Sequence, residues 1–134
     1  MHASEKFFNN IKVHTQYSIC EGAIKIDELA DYCKINKIKS LGLADSFNLC
    51  GALEFSEKLS KAGTQPIIGT QINLKEQNIL GKITLYAQSE TGYKNLTKLS
   101  SLSYLKKKET EDPSCGIKDL ISNNSDIILL AGNY

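Results

Sequence analysis

The sequence predicts an α/β chain with a parallel, β/α barrel-like fold that is incomplete within its 134 residues. Three observations carry that expectation. Short apolar runs alternate with helical periodicity along the chain, the layout of a parallel sheet buried on both faces. The first three runs each close on a polar side chain, with IKVH ending on His14, SLGLAD on Asp45 and PIIGTQ on Gln71. Capable side chains at strand C-termini are the arrangement of a barrel's active-site face. Finally, five strands can be counted, too few to close a barrel, and the fifth has no helix after it. A truncated chain, natural or designed, is therefore expected.

Residues 1–8 read as a leader without a clear period. Residues 11–15 form a first strand, with Lys12 and His14 two apart and so on one face. Ile26, Leu29, Ala30 and Cys33 recur at i, i+3, i+4 and i+7, which predicts a helix, with Asp27 and Glu28 suited to its first turn. Residues 40–44 are a second, fully apolar strand. Ala52, Phe55, Leu59 and Ala62 mark a second helix stopped by Gly63. Residues 66–74 are a third strand, entered through Pro66 where no ladder donor is needed.

Residues 82–87 are a fourth strand. Ser89 caps a helix over 90–105 that buries Tyr93, Leu96 and Leu99. The charged stretch 106–116, which carries Pro113 and Gly116, is a surface loop. A short helix over 117–122 and a fifth strand over 126–131 complete the series. There is no internal repeat and no low-complexity tract.

Composition narrows the function. A net charge of +1 exerts no bulk pull on nucleic acid or on an anionic membrane. All 16 basic residues are lysine, and without arginine the bidentate grip on phosphates and base edges is missing, which disfavours direct DNA reading. An AT-rich coding sequence, reflected in the many Ile, Lys and Asn residues, accounts for the same bias. Cys20, Cys33, Cys50 and Cys115 show no CxxC or metal-ribbon spacing. No secretory signal and no membrane span is visible, so reduced thiols and a cytoplasmic location are expected.

The strings VHTQYSICEGAIKIDEL, LADSFNLCGALEF, KAGTQPIIGTQINL and TLYAQSETGYKNLTKLSS resemble, in order and over about residues 8–130, the PHP (polymerase and histidinol phosphatase) domain that opens bacterial DNA polymerase III alpha subunits. The string ETGYKNLTKLSS, in register after a strand, is the most specific of them. The resemblance covers only the first half of such a domain. The parts that synthesise DNA, as a DNA-directed DNA polymerase and nucleotidyltransferase, lie outside this chain, so enzymatic activity of the segment itself is left open.

Active PHP domains hold metal ions at the C-terminal ends of their strands through histidines and carboxylates, lowering the pKa of bound water for phosphoester hydrolysis. The resemblance implies that the first-strand pair of histidines falls on Lys12 and His14. The carboxylate after YSxx falls on Glu21, the DH pair after the second strand on Asp45 and Ser46, and the acidic ligand after PIIG on Gln71. Lys12, Ser46 and Gln71 thus put a cation, a hydroxyl and an amide where ligands are expected, and these are poor donors for a hydrolytic centre. The site is expected to be vestigial, with no catalytic residue and no cofactor; zinc or manganese would be the metal if competence remained. Lys12 is expected to stand in for the metal's charge beside Glu21 and Asp45.

Other readings of the same residues are structural. His14 can be a hydrogen-bonded strand-end residue, and Asp45 and Asn48 can shape a turn. Gly69 can admit a close backbone approach, and Tyr17 with Ser18 can be loop packing. Lys106–Lys108, beside Glu109, Glu111 and Asp112, read as a solvated loop. The expected role is a structural or docking part of the replicative polymerase. Its partners would be the rest of the alpha subunit, the proofreading exonuclease and other holoenzyme subunits, with DNA met only indirectly and no membrane. The alternatives are a free-standing metal-dependent PHP phosphoesterase or the remnant of a truncated gene.

Overall fold

In the computed structural model, which describes residues 8–131, the first regular element is helix α1 (Ile26–Ile35). Asp27 and Glu28 occupy its first turn and Lys34 its last, complementing the helix dipole. Then follow β1 (Ser40–Ser46), α2 (Ala52–Lys61), β2 (Gln65–Glu76), β3 (Ile79–Ala87), α3 (Glu90–Leu105), β4 (Ser114–Gly116), α4 (Ile117–Ser122) and β5 (Ile127–Leu130). Ser89 caps α3 as expected, its hydroxyl oxygen accepting from the Gly92 amide at 3.2 Å. Leu96 and Leu99 are buried, but Tyr93 is 39% exposed. The buried stripe of α3 runs through Gly92, Leu96, Leu99 and Ser103, and Tyr93 lies one position off it.

The fold is mixed α/β around an open partial sheet ordered β1-β2-β3-β5. β1 and β2 are parallel, as expected, with Leu43 opposite Ile68 and Ser46 opposite Gln71. β2 and β3, however, are antiparallel, as are β3 and β5. The reason is the connection: only Gln77 and Asn78 separate β2 from β3, which suffices for a hairpin and not for the crossover that parallel neighbours require. The end of the expected loop 106–116 is strand β4, which pairs in parallel with Asn73–Lys75 of β2. β3 occupies the opposite edge of β2 at those residues, so β4 continues the line of β1. Its anchor is Cys115, 1% exposed, whose thiol donates to the Leu99 carbonyl at 3.1 Å.

The expected first strand is reduced to two isolated bridges, Val13 to Leu43 and Thr15 to Ile24. Val13 still pairs fully with β1, donating to Gly42 O at 2.9 Å and accepting from Ala44 N at 2.8 Å. The approach is close: a Cβ on Gly42 would lie 2.2 Å from the Ile11 carbonyl oxygen.

Two apolar clusters cover one face of the sheet. Val13, Leu41 and Leu43 pack with Ile26, Cys33, Phe55 and Leu59, while Ile72, Ile83 and Leu85 pack with Leu96, Leu99 and Cys115. Strand alternation puts Ala44, Ser46, Gly69, Gln71, Lys82, Thr84 and Tyr86 on the other face. Ile128, Leu129 and Leu130 of the edge strand β5 are 42–45% exposed. Among the described residues no helix is long and apolar enough to cross a membrane.

Candidate functional site

Five of the six residues singled out in the sequence, His14, Glu21, Asp45, Ser46 and Gln71, gather where the C-terminal end of β1 meets the middle of β2, but they divide between the two faces. Asp45, opposite Thr70 in the ladder, turns toward the helices. Its carboxylate is fully buried and accepts from Thr15 N at 2.6 Å, Thr15 Oγ1 at 2.7 Å and Ser18 Oγ at 2.7 Å. Thr15 and Ser18 are themselves 0% exposed. Asp45 therefore fastens the 15–22 loop to the sheet. A free carboxylate for a metal or a substrate is not what this geometry offers.

Ser46 faces the other way, in a row with Gln71 and Thr84. Its hydroxyl donates to Glu21 Oε2 in a short hydrogen bond, and Gln71 Oε1 lies 3.4 Å from the same hydroxyl. Gln71 Nε2 reaches Thr84 Oγ1 at 3.5 Å. The Ser46 amide donates to Ser18 Oγ at 3.0 Å, so Ser18 joins the two faces.

His14, half-buried, places Nδ1 3.3 Å from Ser18 Oγ and 3.9 Å from Glu21 Oε2. The single Ser18 proton is given to Asp45, so His14 must carry its own proton on Nδ1 and donate it. Glu21 is the one carboxylate on this face of the cluster. Its pKa is held below the ordinary value of 4.5, chiefly by the Ser46 hydroxyl; burial opposes this, and the Lys82 ammonium adds to the lowering.

The lysine at this site is not the expected one. Lys12 is exposed, and its side chain forms no ion pair among the described residues. Lys82, from β3, instead places Nζ 3.4 Å from Glu21 Oε1. The same Nζ lies 5.7 Å from the Phe47 ring centroid. Lys82 lacked a motif to mark it; its only signal was an even separation from Thr84 on one strand, and that residue could be connected to Gln71 only once the hairpin register was known.

A second polar group braces the loop from outside. Tyr17 donates its hydroxyl to Glu54 Oε2 at 2.7 Å, and Glu54 and Asp27 both hold Lys58 at 2.6 Å. Glu54 is thereby pushed below the usual carboxylate range, by Lys58 first and Tyr17 second, and Lys58 is pushed up to about 12 by Asp27 and Glu54. Among the described residues no three His, Cys, Asp or Glu side chains are grouped so as to hold a metal ion.

The chain is 38% identical over 124 residues to the DNA polymerase III subunit alpha of Rickettsia felis, covering 92% of this chain and 10% of the relative. It is 37% identical to that of Caulobacter vibrioides, over 93% of this chain and 12% of the relative. For Borreliella burgdorferi the identity is 41%, over 73% and 10%. The chain thus spans about a tenth of the length of these relatives, at their N-terminal ends. In fold it is similar to a Bifidobacterium adolescentis protein described as a metal-dependent phosphoesterase, with a TM-score of 0.52 at 16% identity, over 72% of this chain and 34% of that one. An amidohydrolase from Chromobacterium violaceum gives 0.53 at 15% identity, over 70% and 34%. The PHP domain family itself matches residues 10–134, and the chain belongs to that family.

Proposed function

We propose that this chain is the PHP segment of a replicative DNA polymerase III alpha subunit, that it acts there as a structural or docking module in the cytoplasm, and that its metal site is degenerate. One observation carries the reading: both oxygens of Glu21 are committed to protein groups, Oε2 to the Ser46 hydroxyl and Oε1 to the Lys82 ammonium. A hydrolytic centre needs several imidazoles and carboxylates around an open position. This face supplies one imidazole and one carboxylate, with a hydroxyl, an amide and a cation at the remaining places. The residues present do not fit a catalytic metal, and no hydrolytic step is derived through one.

The proposed partners are the remaining alpha subunit, the proofreading exonuclease and other holoenzyme subunits, with DNA met indirectly. Identity to alpha subunits over more than nine-tenths of the chain supports the assignment. The test is to load the protein with Zn²⁺ or Mn²⁺, dialyse it, and measure bound metal together with phosphodiester hydrolysis. Substoichiometric metal and no metal-dependent hydrolysis are expected. Stoichiometric metal with hydrolysis that His14→Ala abolishes would overturn the proposal.

A further inference from the structure

Lys82 arrives at the site from β3, a strand outside the sequence segments that supply the other residues. Its place on that strand is fixed by the ladder, in which Lys82 lies opposite Asn73 and Thr84 opposite Gln71. Alternation puts Lys82, Thr84 and Gln71 on one face, and from there the ammonium reaches Glu21 Oε1 at 3.4 Å. The backbone that carries the Phe47 ring beside Nζ is fixed to β2. Phe47 has a left-handed backbone (φ 63) and donates its amide to Gln71 O at 2.8 Å. A lysine braced by a ring and aimed at a carboxylate is more than a solvated surface charge.

The charges close around that pair. Glu21 meets the Ser46 hydroxyl and the Lys82 ammonium, and the His14 ring sits 3.9 Å away. A divalent ion bridging His14 and Glu21 would have to displace the Lys82 ammonium or bear its repulsion at close range.

We propose that Lys82 is a tethered cation that takes the place of a metal ion, balancing Glu21 and barring divalent cations from the His14–Glu21 pair. The inference rests on the degenerate-site reading above and names the residue that enforces it. The 15–22 loop is then tied to β3 by an ion pair, whatever the metal supply.

The test compares wild type, Lys82→Met and Lys82→Arg in thermal unfolding and in Zn²⁺ titration. Lys82→Met is expected to unfold about 3 °C lower and to bind Zn²⁺ about tenfold more tightly than wild type, the gain disappearing when His14→Ala is added. Lys82→Arg, which keeps the charge, should match wild type in both measurements. Should Lys82→Met fail to fold, adding Glu21→Gln decides the matter: recovery of folding supports charge balance, and continued failure overturns it. A Lys82→Met protein with unchanged unfolding and unchanged Zn²⁺ affinity would also overturn the inference while leaving the degenerate site standing. Stoichiometric Zn²⁺ in the wild type would instead sink the degenerate-site reading itself.

Discussion

Asp45 and Ser46 are neighbours on β1, both buried, yet they belong to different structures. Asp45 is surrounded by three donors at 2.6–2.7 Å, all from residues with no exposure. Ser46 heads a looser row in which its contact to Gln71 is 3.4 Å and that from Gln71 to Thr84 is 3.5 Å. Beyond the row, Glu21 and Lys82 are over a third exposed. The difference teaches what each face is for. The helix-facing side is assembled for stability, with every polar group satisfied at short range. On the other side the Ser46–Glu21 and Tyr86–Ile11 hydrogen bonds are short, while the contacts of Gln71 and Lys82 are longer, at 3.4–3.5 Å.

The largest effect should come from breaking the tight side. Asp45→Ala leaves the buried Thr15 amide and two hydroxyls without their acceptor, and each unsatisfied group costs free energy. A loss of about 3 kcal/mol or more is expected, read as a lower urea midpoint at constant slope. Because Ser18 also orients His14 and the Ser46 amide, the imidazole resonances should shift too. A loss below about 0.5 kcal/mol would mean that the loop is held by something other than Asp45.

A smaller loss is expected one row away on the open face. Gly69 lies between Ala44 and Tyr86 in the ladder. A Cβ there would come within 2.4 Å of Tyr86 Cδ1 and 2.6 Å of Leu85 O. The Tyr86 ring is pinned by its hydroxyl, which donates to Ile11 O at 2.6 Å, and burial raises its pKa to about 12. Gly69→Ala must push this ring aside and is expected to cost about 2 kcal/mol. The tyrosine absorbance titration should move back toward 10 as the ring becomes exposed. If Gly69→Ala is neutral, the open face is loose throughout and not only at Gln71.

The contrast also marks what could be read from the residues alone. Both helices around β1, the cap at Ser89 and the gathering of His14, Asp45 and Gln71 at one end followed from periodicity and from where apolar runs stop. The antiparallel β2–β3 pair was legible in principle, since no helix fits between residues 74 and 82, but the alternating rhythm of the rest outweighed that local count. Which face each site residue takes was not legible. Asp45 and Ser46 are adjacent, so a ligand motif places them together, while the pleat separates them. Lys82 was hidden for a related reason: its charge matters only through the register of a hairpin. Lys12 had the right sequence position for the same task but lies on an edge segment that barely pairs, where its side chain is free to reach water.

The smallest effect, and the sharpest separation of the two faces, lies in acid and salt. Glu21 has its pKa lowered in the folded state from the ordinary 4.5, through the Ser46 hydroxyl first and Lys82 next. A carboxylate with a depressed folded pKa contributes stability that is complete above its unfolded value and lost as pH falls through the folded one. Glu21→Gln should therefore be less stable than wild type at neutral pH, by under about 1 kcal/mol because the pair is partly solvated. The gap should close as pH drops below about 4.5. Glu54 and Asp119 are shifted in the same direction, so wild type and variant will both lose stability in acid, and only their difference isolates Glu21. Raising the salt concentration should shrink that difference as well, since a half-exposed ion pair is screened. The Asp45→Ala loss should stay constant under the same salt, because its donors are neutral and buried. Equal salt sensitivity of the two variants would show that both faces respond to charge alike, and the division between a tightly bonded and a solvated side would have to be abandoned.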